Sequence, residues 1–296
     1  MKIVTYNIQY SRGKDQRYDL ARVVEEVAEA DIIALQEVER FYPRTGMSDQ
    51  PAEIAARLPG HYFVYGPETD LHPGDIGGEG RATGRRRQFG NMLLSRWPIL
   101  SSRNHLLPYA GTTSHCNAQA AALEGVIDTG GRALRVYSLH LSHLSRRDRL
   151  AQVDWLLDLN RRAWLEGGVW SEGPKSLDGD WQIDPVPPMP FDGLYLGDFN
   201  FDPVDPEYER LVGPHDPDFG RVHYRDLLID AWVAAGNGER DGITYPPNER
   251  YASTDKGWRL DYCFVTPTLE SAVRRAWIDD AAQGSDHQPV WFEFKL

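Results

Sequence analysis

The chain has 296 residues, 41% of them hydrophobic, which suits one large globular domain or at most two. Its 32 Lys and Arg against 44 Asp and Glu give a net charge of 32 − 44 = −12. Such a surface disfavours non-specific nucleic-acid binding and suits carboxylates gathered around divalent cations. Two cysteines, Cys116 and Cys263, exclude a disulfide framework, and Cys263 sits in an apolar run as a buried thiol would. No apolar run reaches the roughly 20 residues of a membrane span. "MKIVTYNI" lacks the charged-then-apolar pattern of a signal peptide, so the expected location is cytoplasmic.

In chain order, "KIVTYNI" reads as a strand. Leu20, Val23, Val24 and Val27 recur at helical spacing, which predicts an amphipathic helix over 17–30. "DIIALQEV" is a buried strand, and the β–α–β order predicts two parallel neighbours. A short helix over 51–58 precedes the strand "HYFVYGPE". Residues 66–88 read as a long polar loop, and loops of that length are usually functional or mobile. "FGNMLLSRWPIL" resumes as a strand with a turn at Arg96–Pro98, and "AQAAALEGVI" and "RALRVYSLHL" read as paired strands. "SRRDRLAQVDWLLDLNRRAW" is the clearest helix. The stretch 167–190 is irregular, with five prolines and the aromatic Trp170 and Trp181. "GLYLGD" is the next strand, followed by a helix over 226–234 and strands over 242–245, 260–265 and 289–294. No repeat or linker interrupts this order, so residues 1–296 are expected to form a single domain with a two-layered sheet core and helices outside.

Several apolar runs end in a polar residue of unusual type. Asn7 closes "IVTYN", Glu37 closes "IIALQE", His140 closes "VYSLH", and Asp198 and Asn200 close "LYLGDFN". Asp261 sits in "RLDYCFV", and Asp286 and His287 sit in "GSDHQPVWF". Singly, each is a turn, a cap or a hydrogen-bonded core group. Glu37 is the exception, because a Glu within a buried strand needs a partner. The repetition points to one edge of a sheet where ligand groups gather. Clustered carboxylates ionise together only beside a cation, and oxygen donors select Mg²⁺ or Mn²⁺.

In order and spacing, "TYNIQY", "ALQEV", "FGNMLLSRWPI", "YSLHL", "LGDFNFDP", "RLDYCFV" and "GSDHQPV" resemble the endonuclease/exonuclease/phosphatase superfamily, from Thr5 to Val290. That is the fold of DNase I, abasic-site endonucleases, bacterial sphingomyelinases and inositol-polyphosphate 5-phosphatases. The resemblance implies a four-layer α/β/β/α sandwich of two packed mixed sheets and a metal-dependent phosphoric ester hydrolase using one or two Mg²⁺ or Mn²⁺ ions. It implies Glu37 as principal metal ligand, with Asn7 beside it and Asp286 joining directly or through water. His287 would face the scissile phosphate, oriented by Asp261. Asp198 would align or deprotonate the attacking water, and Asn200 and His140 would contact phosphate oxygens. The proton falls to Asp198 or to His287. Asn91 lies in the central motif and is a candidate to reach the site. His143 in "HLSHL" either contacts substrate or caps the following helix.

The substrate is less defined. Arg81, Arg85, Arg86 and Arg87 form either a solvated charge run or a phosphate clamp, to which Arg146 and Arg147 could add. Trp170 and Trp181 either form an apolar rim for a lipid or pin their loop. No basic groove with interleaved aromatics is visible. The expected substrate is a phosphodiester or phosphomonoester of a small molecule or lipid headgroup. A nuclease is the alternative. A catalytically silent binding module of the same fold ranks last, because the acids and both histidines are all present.

Overall fold

The computed structural model describes residues 1–74, 84–171, 185–247 and 256–296. Strand β1 (Lys2–Asn7) and strand β2 (Ile32–Arg40) run parallel, joined through helix α1 (Leu20–Val27), as the β–α–β pattern predicts. Helix α1 is shorter than the predicted 17–30 span because the Asp19 carboxylate caps it, accepting from Arg22 N–H. Helix α2 (Gln50–Arg57) is capped the same way by Asp49. Strands β3 (Tyr62–Leu71) and β4 (Arg87–Ser95) reach well into the stretch expected to be loop.

The chain continues through β5 (Ile99–Leu106), β6 (Ala121–Asp128), β7 (Ala133–His140), α3 (Arg146–Glu166) and β8 (Gly193–Asp198). Helix α4 (Pro206–Val212) and a small hairpin, β9 (His215–Asp216) with β10 (Gly220–Arg221), follow. Then come β11 (Ile229–Asp230), α5 (Ala231–Ala234), β12 (Asp261–Val265), β13 (Val273–Ile278) and β14 (Val290–Phe294). Two expectations fail here. Residues 242–245 contribute a single bridge, Tyr245 to Trp258, not a strand. The helix expected over 226–234 is one turn, because Ile229–Asp230 pairs with β12 and Asp230 then caps the turn at Trp232 N–H. Helix α4 and edge strand β13 were not predicted, being short and half polar.

The strands form two six-stranded mixed sheets, ordered β13-β14-β1-β2-β4-β3 and β11-β12-β8-β7-β6-β5. Apolar runs are nearly continuous because alternate residues serve different cores. Ile32 and Ala34 face the second sheet, whereas Ile33 and Leu35 face α1 and α2. Leu194 and Leu196 face the first sheet, whereas Tyr195 faces α3. The result is a four-layer α/β/β/α sandwich, in which each buried Leu or Ile contributes about 1.5–3 kcal/mol.

The face between the sheets changes character toward one end. Ile3 gives way to Thr5 and then Asn7, and Val136 gives way to Ser138 and then His140. Gln36 fills this polar layer, donating to Ser138 Oγ at 3.0 Å and accepting from Thr5 Oγ1 at 3.3 Å. Residues 167–171 and 185–190 lie at the other end, since α3 leaves from the His140 end and β8 returns toward it, reaching His140 only at Asp198. Trp170 is half-buried there and cannot rim a site at Asp198; Trp181 lies outside the described residues.

Gly197 lets β8 lie close to β7, because a Cβ would run into the Leu139 carbonyl. Gly197→Ala should therefore lower Tm by about 5 °C or more, from roughly 2 kcal/mol or more of strain. A melting curve superimposable on wild type would show that β8 can shift freely.

Candidate functional site

His140, Asp198 and Asp261 are register partners across three adjacent strands of the second sheet, so their side chains emerge side by side. Asn7 ends β1 on the facing sheet. Its Nδ2 donates across the gap to Asp198 Oδ2 at 2.9 Å and to Glu37 Oε1 at 3.2 Å. Its Oδ1 accepts from Gln9 N–H at 3.1 Å.

Glu37 reaches this cluster through a β-bulge. Leu35 pairs with Met92 and Val38 with Gly90, so Gln36 and Glu37 together oppose Asn91. Glu37 adopts φ 58°, a left-handed conformation that costs a non-glycine residue roughly 1–2 kcal/mol. This turns its carboxylate into the site while Gln36 stays between the sheets.

A second bulge delivers Glu68, which sequence reasoning missed. Pro67 pairs with Gly90 and Thr69 with Phe89, leaving Glu68 as the extra residue. Gly90 permits the close approach, since a Cβ would collide with the backbone of Gly66 and Glu68. Glu68 is buried, with Oε2 3.6 Å from His140 Nδ1. Its signal was the acid ending "HYFVYGPE", masked by Gly66-Pro67, which reads as the start of a loop.

The two histidines are arranged alike. His287 Nδ1 lies 2.8 Å from Asp261 Oδ2, and its Nε2 faces Asp198 Oδ2 at 3.6 Å. His140 has Glu68 at Nδ1, and its Nε2 faces the same Asp198 oxygen at 3.8 Å. The Tyr245 ring packs edge-on against His287, centroids 4.8 Å apart. The loop before His287 is held by Glu26 of α1, which accepts from Gln283 N–H (2.7 Å), Gly284 N–H (3.0 Å) and Tyr6 O–H (2.9 Å). Asp286 accepts from Gln9 Nε2 at 2.6 Å, a partner that nothing in the sequence singled out.

These contacts set the protonation states. Burial opposes charge on His140, but Glu68, Asp198 and Glu37 outweigh it and push its pKa up to about 10. Burial likewise opposes charge on His287, and Asp261 and Asp198 raise its pKa nonetheless. The Glu37 carboxyl is pushed up, mainly by burial and further by Asp286, against the lowering effect of His140.

The remaining candidates divide. Asn200 donates its backbone N–H to Asp198 Oδ1 at 2.9 Å and its amide to Leu141 O at 3.0 Å, clamping Asp198 to the β7 exit. Asn91 is buried, donating to Ala121 O at 3.0 Å. His143 is exposed and does not cap α3; Ser145 does, accepting from Asp148 N–H. Arg86 pairs with Asp70 at 2.6 Å, Arg87 donates to Pro73 O at 2.7 Å, and Arg85 lies over the Phe41 ring. Arg146 pairs with Asp205 at 2.6 Å, Arg147 is exposed, and Arg81 lies outside the described residues.

Among the described residues, two donor sets could hold a cation. Asp198, Asp261 and His287 bring ligand atoms within 4.8 Å of one another, but His287 Nδ1 and Asp261 Oδ2 already bond each other. Glu37, Asp286 and the Asn7 carbonyl offer an all-oxygen set in which Asp286 raises the cost of ionising Glu37. A hard divalent cation such as Mg²⁺ or Mn²⁺ relieves that cost, so these residues fit one.

Two packed mixed sheets with helices outside, carrying acid-backed histidines at the strand ends, define a DNase I-like sandwich. Residues 4–287 match the Endonuclease/Exonuclease/phosphatase family, and the chain belongs to it. Members of this family hydrolyse phosphoesters and generally depend on divalent metal. No curated protein matches the chain. Among solved structures, it is similar to a family protein from Leptotrichia buccalis, 18% identical with TM-score 0.64 over 100% of both chains. It is also similar to a mannosyl-6-phosphatase from Bacteroides thetaiotaomicron, 17% identical with TM-score 0.60 over 100% of both chains. Truncated Caenorhabditis elegans TDP2 is 18% identical with TM-score 0.56, over 99% of this chain and 97% of that one.

Because the His140 pKa is raised above its unfolded value of about 6.5, its stabilisation is complete below that pH and is lost as pH rises through about 10. In metal-free protein, Tm should fall between pH 7 and 10, and fall less in Glu68→Gln. Parallel Tm profiles for the two proteins would show that Glu68 does not hold the imidazolium.

Proposed function

We propose that the protein is a divalent-metal-dependent phosphoesterase that hydrolyses a phosphodiester or phosphomonoester of a small molecule or lipid headgroup by in-line attack of water. The observation that carries this is the convergence of two acid-backed histidines on one oxygen of Asp198. Glu37 and Asp286, with Asn7, would hold Mg²⁺ or Mn²⁺, which supplies Lewis-acid polarisation of a phosphate oxygen.

The chain's own residues do the rest. A pentavalent phosphoryl transition state gathers negative charge on its equatorial oxygens. His140 and His287 bring cationic N–H groups to that charge, and Glu68 and Asp261 keep each ring oriented from behind. Asn200 offers the remaining amide hydrogen to a phosphate oxygen. Asp198, fixed by Asn7 and by Asn200 N–H, aligns the attacking water and takes its proton when His287 enters as the imidazolium; when His287 enters neutral at Nε2, that nitrogen takes the proton and becomes the cationic donor. Since the partners are already in place, little reorganisation is needed as charge develops. Sugar phosphates, the substrate class in the name of the Bacteroides neighbour, fall within the proposed range.

Turnover of p-nitrophenyl phosphate and bis(p-nitrophenyl) phosphate with Mg²⁺ or Mn²⁺ tests this, and the preferred of the two separates monoesterase from diesterase. EDTA should abolish turnover and added metal should restore it. Absence of turnover across a broad metal screen would sink the hydrolase assignment. Glu37→Gln should lower kcat/KM by roughly 100-fold or more with the fold retained. His287→Ala should cost about 10²–10⁴-fold in kcat. Near-wild-type rates at saturating Mg²⁺ would refute the role given to either residue.

A further inference from the structure

Planar groups from separate segments stack along the first-sheet side of the site. The Tyr18 and Tyr10 rings lie 6.1 Å apart at 28°. The Arg44 guanidinium lies 3.7 Å from the Tyr10 centroid and 4.8 Å from that of Tyr42. Arg87 lies 5.6 Å from the Tyr42 centroid. The order is ring, ring, guanidinium, ring, guanidinium, the interleaved basic strip that the linear sequence does not reveal.

The strip adjoins the metal-ligand acids. Tyr10 follows Gln9, which holds Asp286. Arg44 is anchored by Glu39, two residues beyond Glu37, and the charge of Glu37 acts on it. Both Nε (2.9 Å) and Nη2 (2.6 Å) of Arg44 donate to Glu39 Oε2, while Thr45 Oγ1 donates to Oε1 at 2.6 Å. Glu39 is fully buried, yet the Arg44 side chain is 38% exposed. Gln50 fixes the Tyr10 turn by donating to Tyr10 O at 2.8 Å. Tyr10 and Phe41 hold left-handed backbone, φ 45° and 57°, as strained residues at ligand clamps often do.

Arg87 is set up differently. Its Nη2 donates to a carbonyl, Pro73 O, so that bond leaves its charge uncompensated. Its Nε is buried without a partner among the described residues. An otherwise acidic chain thus stations two guanidinium groups, stiffened by aromatic faces, beside its phosphoester site. Guanidinium edges match phosphate oxygens, and ring faces carry them at little entropic cost.

Resting on the phosphoesterase reading above, we propose that the Tyr10–Arg44–Tyr42–Arg87 strip is a second anion subsite. It takes a further phosphate-type group that the substrate carries beyond its scissile ester. That group is either another phosphate on a small molecule or the next phosphate of a nucleotide strand.

The test measures binding rather than turnover. Tripolyphosphate and single-stranded hexathymidylate are titrated calorimetrically into the full chain in EDTA, where no metal bridges phosphate to Glu37. Arg44→Met would strand the buried Glu39 charge, so Arg44→Lys and Arg87→Met are used instead, each checked for native circular dichroism and melting. Both should weaken tripolyphosphate binding roughly tenfold. Glu37→Gln, which impairs turnover, should bind at least as tightly as wild type. Equal weakening for hexathymidylate assigns the group to a nucleotide strand; weakening confined to tripolyphosphate assigns it to a small molecule. No binding by wild type, or affinities within about twofold of wild type in both folded variants, would overturn the subsite. Metal-dependent turnover is read separately. Its absence beside intact tripolyphosphate binding counts against the phosphoesterase and not against the strip.

Discussion

The side-chain amide of Asn7 ties the two sheets together where their charged strand ends meet. One nitrogen donates to Glu37 on its own sheet and to Asp198 on the other. Without such a tie, acids gathered at a nearly dry seam would push the sheets apart, because each bears a desolvation cost and repels the next. The histidines complete the balance. Each sits between a carboxylate behind and Asp198 in front, so positive and negative groups alternate across the seam. Electrostatic preorganisation here follows from how crowded acids are made tolerable.

That arrangement grows out of the inter-sheet core. Positions facing the other sheet pass from aliphatic, through the hydroxyls of Thr5 and Ser138 with Gln36, to Asn7, His140 and Asp198. The strands stay rigid on their alternate faces against the helices, so the polar end inherits a stiff support. Only the acids from β2 and β3 break the alternation. Both Glu37 and Glu68 are bulge residues against the same stretch of β4, where Gly90 lets the backbones approach. Bulges re-aim single side chains without disturbing the ladder on either side.

Much of the fold was legible from periodicity alone. Runs such as "DIIALQEV" and "GLYLGD" are apolar on both faces because they separate two cores, and their polar final residues marked Asn7, Glu37, His140 and Asp198. Weaker signals failed for identifiable reasons. The helix expected over 226–234 gave way to a two-residue strand because β12 offered Ile229 and Asp230 a ladder. Residues 66–71 looked like loop because Gly-Pro interrupts the pattern, yet β3 absorbs them through a bulge.

The sequence by itself determined the βαβ start, a two-layered sheet core with helices outside and the residue types at the strand ends, because local periodicity and burial are written into neighbouring positions. Only the tertiary structure decided which acids stand behind which histidine, that Glu68 belongs with His140, and that Trp170 lies at the far end. It also decided that Tyr10, Tyr42, Arg44 and Arg87 form one strip. Those relations depend on cross-strand register and on contacts between distant segments, and no short-range pattern encodes either.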